Sequence, residues 1–369
     1  MLALIVFIVV LSVLIFIHEL GHFLMAKKFG VKVEEFGFGY PPRIIGKKIG
    51  ETIFSLNWIP FGGFVRLYGE DYLEKGIKSK RALCNKPKYV RALVAVAGVL
   101  GNFLLAIVCF SIVYSFTGIP TETDTVVIEA IAKNSPAEQA GLLPDQRIIS
   151  VDGKPVAVMS DFVDAIGDKK GKKVLLGTVN KEGQQKEFSL VPRENPPEGE
   201  GAVGVAITNV EMVFYPVWQM PFRGAWFGIK EAVSWGMMII SGFISMIVGL
   251  FYGKVPQVAG PVGIYQITAN VVEQSWLLTL QFVGVLSINL MILNLLPFPA
   301  LDGGRLLFIA IEAVVRKRIK PQIEQYVHMA GMIVLLSLML LVTFNDVRKI
   351  VVKNEFIKEM ADEVMERVK

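Results

Sequence analysis

The chain has few of the residues that usually bind metals or form cross-links. Its 369 residues include three histidines and two cysteines. Cys84 lies in a basic loop and Cys109 in an apolar stretch, so we expect no disulfide between them and no disulfide framework. Any metal site that uses imidazole ligands therefore has few possible members.

Charged residues are also scarce, at 19% of the chain against 53% hydrophobic residues. This balance excludes an ordinary soluble protein of this size, and several uncharged stretches are long enough to cross a bilayer. We predict an α-helical polytopic membrane protein with four transmembrane helices, at 1–26, 92–117, 276–301 and 327–344. The first stretch lacks a basic start, so we expect a retained helix and not a signal peptide.

The sign of the charge changes along the chain. Residues 27–91 carry 14 Lys/Arg against 6 Asp/Glu, and residues 119–222 carry 10 against 15. Because basic loops stay in the cytoplasm, we expect the first segment inside and the second outside, with an extracytoplasmic N-terminus. The basic residues flank membrane spans, so no nucleic-acid partner is expected.

The sequence HELGH occupies positions 18–22, within the first apolar stretch. Helix positions i and i+4 lie on one face, so His18 and His22 can bind one metal ion. Glu19 then lies beside the ion, where a carboxylate can take a proton from a water that the metal holds. The same spacing marks soluble zinc proteases, but here it lies in a membrane span, where polar groups are costly. The pattern predicts a protease that cuts inside the membrane.

A hydrolytic zinc site needs a third protein ligand, which can be His328, a cysteine or a carboxylate. His328 has no acidic or histidine partner four residues away, and neither cysteine clusters with a second ligand. Asp302 reaches the depth of His22 if the third span runs inward, which favours Asp302 as the ligand. The alternative is that Asp302 only caps the next helix, beside permissive glycines.

The membrane depth at which Asp302 must lie also decides how we interpret the remaining segments. The stretch 232–252 is uncharged and long enough to cross the bilayer, but a crossing there would move Asp302 to the wrong side. We therefore predict membrane-associated, non-crossing helices over 220–275. Residues 302–325 are predicted on the cytoplasmic side and 345–369 as an amphipathic tail.

The cytoplasmic segment 27–91 contains a predicted β-hairpin region. Residues alternate in character over 33–40 and 53–58, and prolines or glycines follow each run, which predicts short strands. One interpretation is a small hairpin that caps the helices. The other is a membrane-associated sheet that approaches the metal and offers an edge to an extended peptide.

Residues 122–207 form the one obviously soluble segment, for which we predict an extracytoplasmic α+β domain. Predicted strands lie at 125–131, 145–151, 173–180 and 186–191, and predicted helices at 135–142 and 160–166. The stretch SPAEQAGLLPDQRIISVDGKPV resembles bacterial PDZ domains, which bind extended peptides or chain termini at a sheet edge. The alternative is a spacer domain that excludes large substrates by its bulk.

Motifs along nearly the whole chain resemble the site-2 protease family of intramembrane zinc metalloproteases, in its bacterial regulator-of-sigma-E form. In chain order they are HELGH (18–22), GFGYPPRI (37–44), IPFGGFVRLYGE (59–70), Ala97-Gly98 with Asn102-Phe103 in the second helix, the PDZ segment, GPVGIYQ (260–266) and NLLPFPALDGG (294–304). The pairing of HELGH with NLLPFPALDGG is highly specific, whereas the first motif alone would not be.

This resemblance implies roles for particular residues and one zinc ion per chain. His18, His22 and Asp302 would bind the zinc, Glu19 would be the general base, and Asn294 would contact the substrate. The implied substrates are single-span membrane proteins, such as a trimmed anti-sigma factor or a signal-peptide remnant. The implied location is the bacterial cytoplasmic membrane, with the active site near its cytoplasmic side.

The resemblance also implies that the hairpin over 49–68, with Gly62 and Gly63, guides an unwound substrate strand. Two departures stand out. Val99 occupies a position where family members often carry proline, and the chain has room for one PDZ domain where many relatives have two. A rival hypothesis is a membrane-anchored PDZ protein with a structural metal site. A metal transporter is less favoured, because we find no second polar pathway through the spans.

Overall fold

The computed structural model describes residues 2–70, 79–180, 182–197, 199–253, 258–317 and 319–368. Residues 71–78 of the predicted cytoplasmic segment lie outside the described residues. The chain forms two compact units, which we call the membrane unit (Met1–Tyr114 and Pro221–Lys369) and the sheet unit (Ser115–Met220).

Helices dominate the membrane unit because its apolar stretches are long and nearly free of charge. They are α1 (Leu2–Lys28), α2 (Lys88–Thr117), α5 (Met220–Phe251), α6 (Pro261–Gln274), α7 (Trp276–Leu295), α8 (Asp302–Val315) and α9 (Pro321–Val368). Among the described residues, five helical stretches are long and apolar enough to cross a membrane: Leu2–Lys28, Lys88–Thr117, Met220–Phe251, Trp276–Leu295 and Gln322–Lys349. Four of these stretches correspond to the spans that we predicted, and the additional one is α5. That α5 does not cross the membrane stays a prediction.

Two helix boundaries differ from the sequence prediction. We expected the third span to extend to residue 301, but α7 ends at Leu295. Pro297 and Pro299 explain this end, since proline has no N–H and disfavours helical backbone in the residue before it. The predicted fourth span and the predicted tail 345–369 belong to one continuous helix, α9.

The predicted hairpin region is present and is longer than expected. Strand β1 (Val33–Ile49) continues through the two prolines that we expected to end it, and β2 covers Thr52–Leu67. Residues 35–38 pair with 53–56 and also with 63–66, while 43–49 pairs with 52–57. The chain therefore folds back twice, and 63–67 becomes an outer segment of this small sheet.

The sheet unit has the predicted α+β composition. It contains β3 (Ile119–Ile131), α3 (Pro136–Gln139), β4 (Arg147–Val151), β5 (Lys154–Pro155), α4 (Met159–Gly167), β6 (Val174–Val179), β7 (Gln185–Leu190) and β8 (Val205–Val213). The strand order is β7-β6-β4-β3-β8, with β5 paired to β4. Val126, Ile128, Val174 and Leu176 are fully buried in its core.

The sheet of this unit also includes residues on both sides of the predicted range 122–207. The first residues of β3 pair with the last residues of β8, as in Ile119 with Val213 and Glu122 with Val210. This pairing joins residues about 90 positions apart in sequence, so it has no local sequence signature.

Candidate metal centre

Three side chains from two distant parts of the membrane unit converge on one point. The Nε2 atoms of His18 and His22 lie 3.0 and 3.2 Å from Oδ2 of Asp302, and 3.1 Å from each other. Tetrahedral zinc with bonds of about 2.0–2.1 Å places its ligand atoms about 3.3 Å apart. The spacing of the three atoms therefore fits one zinc ion, and all three residues are buried or nearly so.

The hydrogen-bonding state of the group also fits a cation. Nδ1 of His22 lies 2.7 Å from the backbone oxygen of Val94. A carbonyl only accepts, so Nδ1 carries the proton and the neutral ring presents the lone pair of Nε2. Within the part of the chain that the structure describes, Oδ2 of Asp302 is buried without a hydrogen-bond donor. Imidazole lone pairs and a carboxylate that converge in this way form the donor set that zinc prefers.

Small residues make room for this group between α1 and α2. A Cβ atom on Gly98 would collide with Nε2 of His22, and one on Gly21 would collide with the backbone oxygen of Ala97. Gly98 therefore leaves room for the imidazole rings of His18 and His22, and Gly21 lets the two helices approach closely. Sequence reasoning noted Gly98 only as part of the family resemblance and gave it no role at the metal.

Asp302 does not cap the helix that follows it, so that alternative is wrong. The N-cap of α8 is Leu301 and makes no side-chain cap hydrogen bond, while Asp302 is the first helical residue. A Cβ on Gly303 would collide with the backbone oxygen of Leu296, and one on Gly304 with that of Phe298. The two glycines let the start of α8 fold tightly against the loop after α7, which directs the carboxylate of Asp302 to the histidines.

Glu19 connects the metal group to the hairpin. Its Oε2 accepts a hydrogen bond of 3.1 Å from the backbone N–H of Val65. Val65 belongs to the outer segment 63–67, where it pairs with Phe36. The edge of this small sheet therefore lies directly beside the carboxylate that we expect to act as the base.

A cavity of about 920 Å³ opens at these residues. Its walls include the three metal-binding candidates and Glu19, with Asn294, Gly63 and Tyr40. Burial raises the pKa of the Tyr40 phenol, and the nearby charge of Glu19 raises it further. Gly62 adopts a φ of +79° and packs against Ile15 of α1. Of the three predicted substrate contacts, Asn294 and Gly63 thus line the cavity, and the role of Gly62 stays a prediction.

His328 lies beside the site without joining the metal group. Its Nδ1 accepts a hydrogen bond of 2.9 Å from the backbone N–H of Ala300, whose φ is +81°. Sequence reasoning considered His328 as a ligand and found no partner for it. The partner is a backbone amide in the loop before Asp302, and such a partner leaves no trace in the sequence.

Comparison with known proteins agrees with this site. The family model described as peptidase family M50 matches residues 6–338. The zinc metalloprotease RasP of Geobacillus kaustophilus is 30% identical over 93% of this chain and 97% of its own length. The putative zinc metalloprotease FN1322 of Fusobacterium nucleatum is 31% identical over 93% of this chain and 98% of its own length.

One solved structure is similar to about a quarter of the chain. The PDZ domain of an SdrC-like protein from Listeria monocytogenes covers 24% of this chain and 94% of its own, at 19% identity and a TM-score of 0.21. The family match spans most of the sequence, including both motifs that build the metal group. The chain belongs to peptidase family M50, the site-2 protease family, and it is a zinc metalloprotease.

Proposed function

We propose that this metalloprotease is an intramembrane endopeptidase that cleaves single-span membrane proteins. Glu19 carries this proposal, because its carboxylate accepts a hydrogen bond from the edge of the hairpin and lines the same cavity as the metal group. The base, the metal position and a strand-binding edge thus meet in one cavity. The helix that holds Glu19 is long and apolar enough to cross a membrane.

His18, His22 and Asp302 would hold the zinc ion. Bound zinc supplies Lewis acidity, which makes a water more acidic and stabilises negative charge on the substrate carbonyl oxygen. The protein contributes two neutral imidazoles and one carboxylate, so the loaded site keeps a net positive charge. That charge favours the development of an oxyanion on the substrate.

Glu19 would act as the general base and then as the general acid. Its carboxylate takes a proton from the attacking water as the water oxygen bonds to the peptide carbon. It then gives that proton to the peptide nitrogen as the carbon–nitrogen bond breaks. The overall reaction adds one water to one peptide bond and returns Glu19 to its ionised form.

The hairpin edge would bind the substrate as an extended strand. A helical peptide shields its carbonyls with its own hydrogen bonds, so the substrate must unwind before water can attack. Backbone groups of 63–67 can pair with such a strand, and Asn294, which lines the same cavity, can hold it in place. The contact of Val65 N–H with Glu19 supports this arrangement, because it brings the edge next to the reacting bond.

The sheet unit would select substrates outside the membrane, as a PDZ domain that binds a peptide or substrate segment. Its sequence motif supports this role, and β8 is the terminal strand of the sheet. The charge difference between 27–91 and 119–222 supports an extracytoplasmic sheet unit and an active site near the cytoplasmic side of a bacterial cytoplasmic membrane. A trimmed anti-sigma factor or a signal-peptide remnant fits these requirements.

A tagged single-span reporter in detergent tests this function. We expect cleavage within the reporter's membrane span, loss of cleavage with a zinc chelator, and recovery when zinc is restored. Replacing helix-breaking residues of the reporter span by leucine should slow cleavage, because unwinding then costs more. Cuts that fall only in the reporter's soluble segments would contradict an intramembrane protease.

A further inference from the structure

We propose that Asn102 is a positioning residue for zinc, because it accepts the hydrogen bond that fixes the proton of His18. This inference rests on the proposed role of His18 as a zinc ligand. Asn102 lies on α2 and is fully buried. Its amide nitrogen is 3.5 Å from Nδ1 of His18, on the side of the ring that faces away from Asp302.

The proton of His18 has to lie on the ring nitrogen that faces away from the metal. Nε2 of His18 faces Asp302 at 3.0 Å, so zinc binding uses the lone pair of that nitrogen. A neutral imidazole with a lone pair on Nε2 carries its proton on Nδ1, where it needs an acceptor. A buried N–H without an acceptor destabilises the protein by the full cost of removing that group from water.

Asn102 has the acceptor that His18 needs. Its Oδ1 is buried and, across the described residues, has no hydrogen-bond partner. A half-turn of the amide exchanges oxygen and nitrogen, which lie almost symmetrically about the Cβ–Cγ axis, and brings Oδ1 to Nδ1 of His18. The same rotation gives Oδ1 a hydrogen-bond partner and moves the amide nitrogen to the position that Oδ1 leaves. Zinc loading and amide orientation are therefore coupled.

The two histidines differ in how their protons are fixed. His22 uses the backbone oxygen of Val94 at 2.7 Å, which no side-chain substitution removes. His18 depends on a side chain. The backbone oxygen of Asn102 accepts a hydrogen bond of 2.8 Å from the hydroxyl of Ser287 on α7, which links this part of α2 to α7. Asn102 thus has a side-chain bond toward the metal group and a separate backbone bond toward α7.

Zinc affinity measured by chelator competition tests the proposal without using protease activity. Asn102→Leu keeps the approximate shape but removes the acceptor, and we expect about 10- to 100-fold weaker zinc binding, as for other residues that hold metal ligands. Asn102→Asp keeps an acceptor oxygen and should restore most of the affinity. Ser287→Ala is the matched control, because it removes the hydrogen bond to the backbone oxygen of Asn102 and leaves the side chain of Asn102 intact.

The outcomes separate this inference from the proposed function. Unchanged affinity in Asn102→Leu, or an equal loss in Ser287→Ala, would overturn the role of Asn102 while leaving His18 as a ligand. Unchanged zinc binding in His18→Ala would overturn both. If Asn102→Leu fails to fold, nitrogen-15 NMR of histidine-labelled wild type with zinc decides the matter. We expect a protonated, hydrogen-bonded Nδ1 on His18, and a zinc-bound Nδ1 would overturn the inference.

Discussion

Single atoms decide whether the metal group can form, and Gly98 is the sharpest case. A side chain here would enter the space beside Nε2 of His22. We predict that Gly98→Ala abolishes measurable zinc binding, because the added methyl group collides with the imidazole rings of His18 and His22 and displaces them. Zinc content of the purified variant checks this. Gly242→Ala on α5 is a matched control, since a Cβ there meets no atom within 4 Å among the described residues. Full zinc occupancy in Gly98→Ala would show that the site lies elsewhere.

His328 accepts a hydrogen bond from the backbone N–H of Ala300, two residues before Asp302, and we expect this bond to support the metal group. His328→Phe keeps an aromatic ring near Phe308, which lies 5.6 Å away between ring centres, but it leaves the N–H of Ala300 without its acceptor. A fully buried donor without a partner costs about 1–3 kcal/mol, and this partly buried one should cost less. We therefore predict weaker zinc binding in this variant, measured by the same chelator competition.

A second substitution tests the cause of that loss. Ala300 has a φ of +81°, a conformation that glycine adopts at little cost. Ala300→Gly should therefore restore part of the zinc affinity of His328→Phe, because the loop then needs less support. An equal loss in the single and the double variant would mean that His328 acts in another way.

At the scale of elements, the edge segment 63–67 connects the hairpin to catalysis. The N–H of Val65 donates to Glu19, so it points away from the strand's partner in the sheet. Proline is tolerated at such edge positions. We predict that Val65→Pro keeps zinc but lowers kcat/KM about tenfold, the effect of one lost hydrogen bond at the site. Val65→Ala is the control that keeps the N–H. Equal activity in both variants would argue against a role of the segment 63–67 in catalysis.

Some elements were predictable from the sequence and others were not. The helix that carries His18 and His22 was predictable because its apolar stretch and its i, i+4 spacing are local features. Gly98 and Asn102 had no predicted role at the metal, and His328 was considered only as a ligand. The contacts that these residues make involve atoms that only the tertiary fold brings near. The early end of α7 has a local cause in Pro297, but hydropathy alone extends through it.

At the scale of the whole molecule, the course of α5 determines the topology. Residues of α6 lie beside the first third of α1, since Tyr265 and Phe7 have ring centres 5.7 Å apart. If α5 crossed, the chain from Tyr252 to Gly260 would have to cross back, yet eight extended residues span at most about 29 Å. The hydrocarbon core is about 30 Å thick. A crossing α5 would thus require an almost fully extended return, whereas a non-crossing α5 requires none.

Cysteine labelling measures that topology directly. In a background without Cys84 and Cys109, we predict that Tyr252→Cys reacts with an impermeant maleimide in intact spheroplasts. A cysteine at Thr125 is the extracytoplasmic control, and one at Lys47 is the cytoplasmic control. Labelling of Tyr252→Cys only after lysis, as expected at Lys47, would show that α5 crosses.

Glu19 is expected to be the base of a zinc endopeptidase, and replacing it by glutamine is the direct test. Wild type and Glu19→Gln are brought to equal zinc content, and the cleavage rate of a tagged single-span reporter is measured. We predict that Glu19→Gln keeps its zinc and loses about 10²- to 10⁴-fold in rate, the usual contribution of a positioned base. Equal rates in the two proteins would contradict the account, because Glu19 would then have no part in the chemistry.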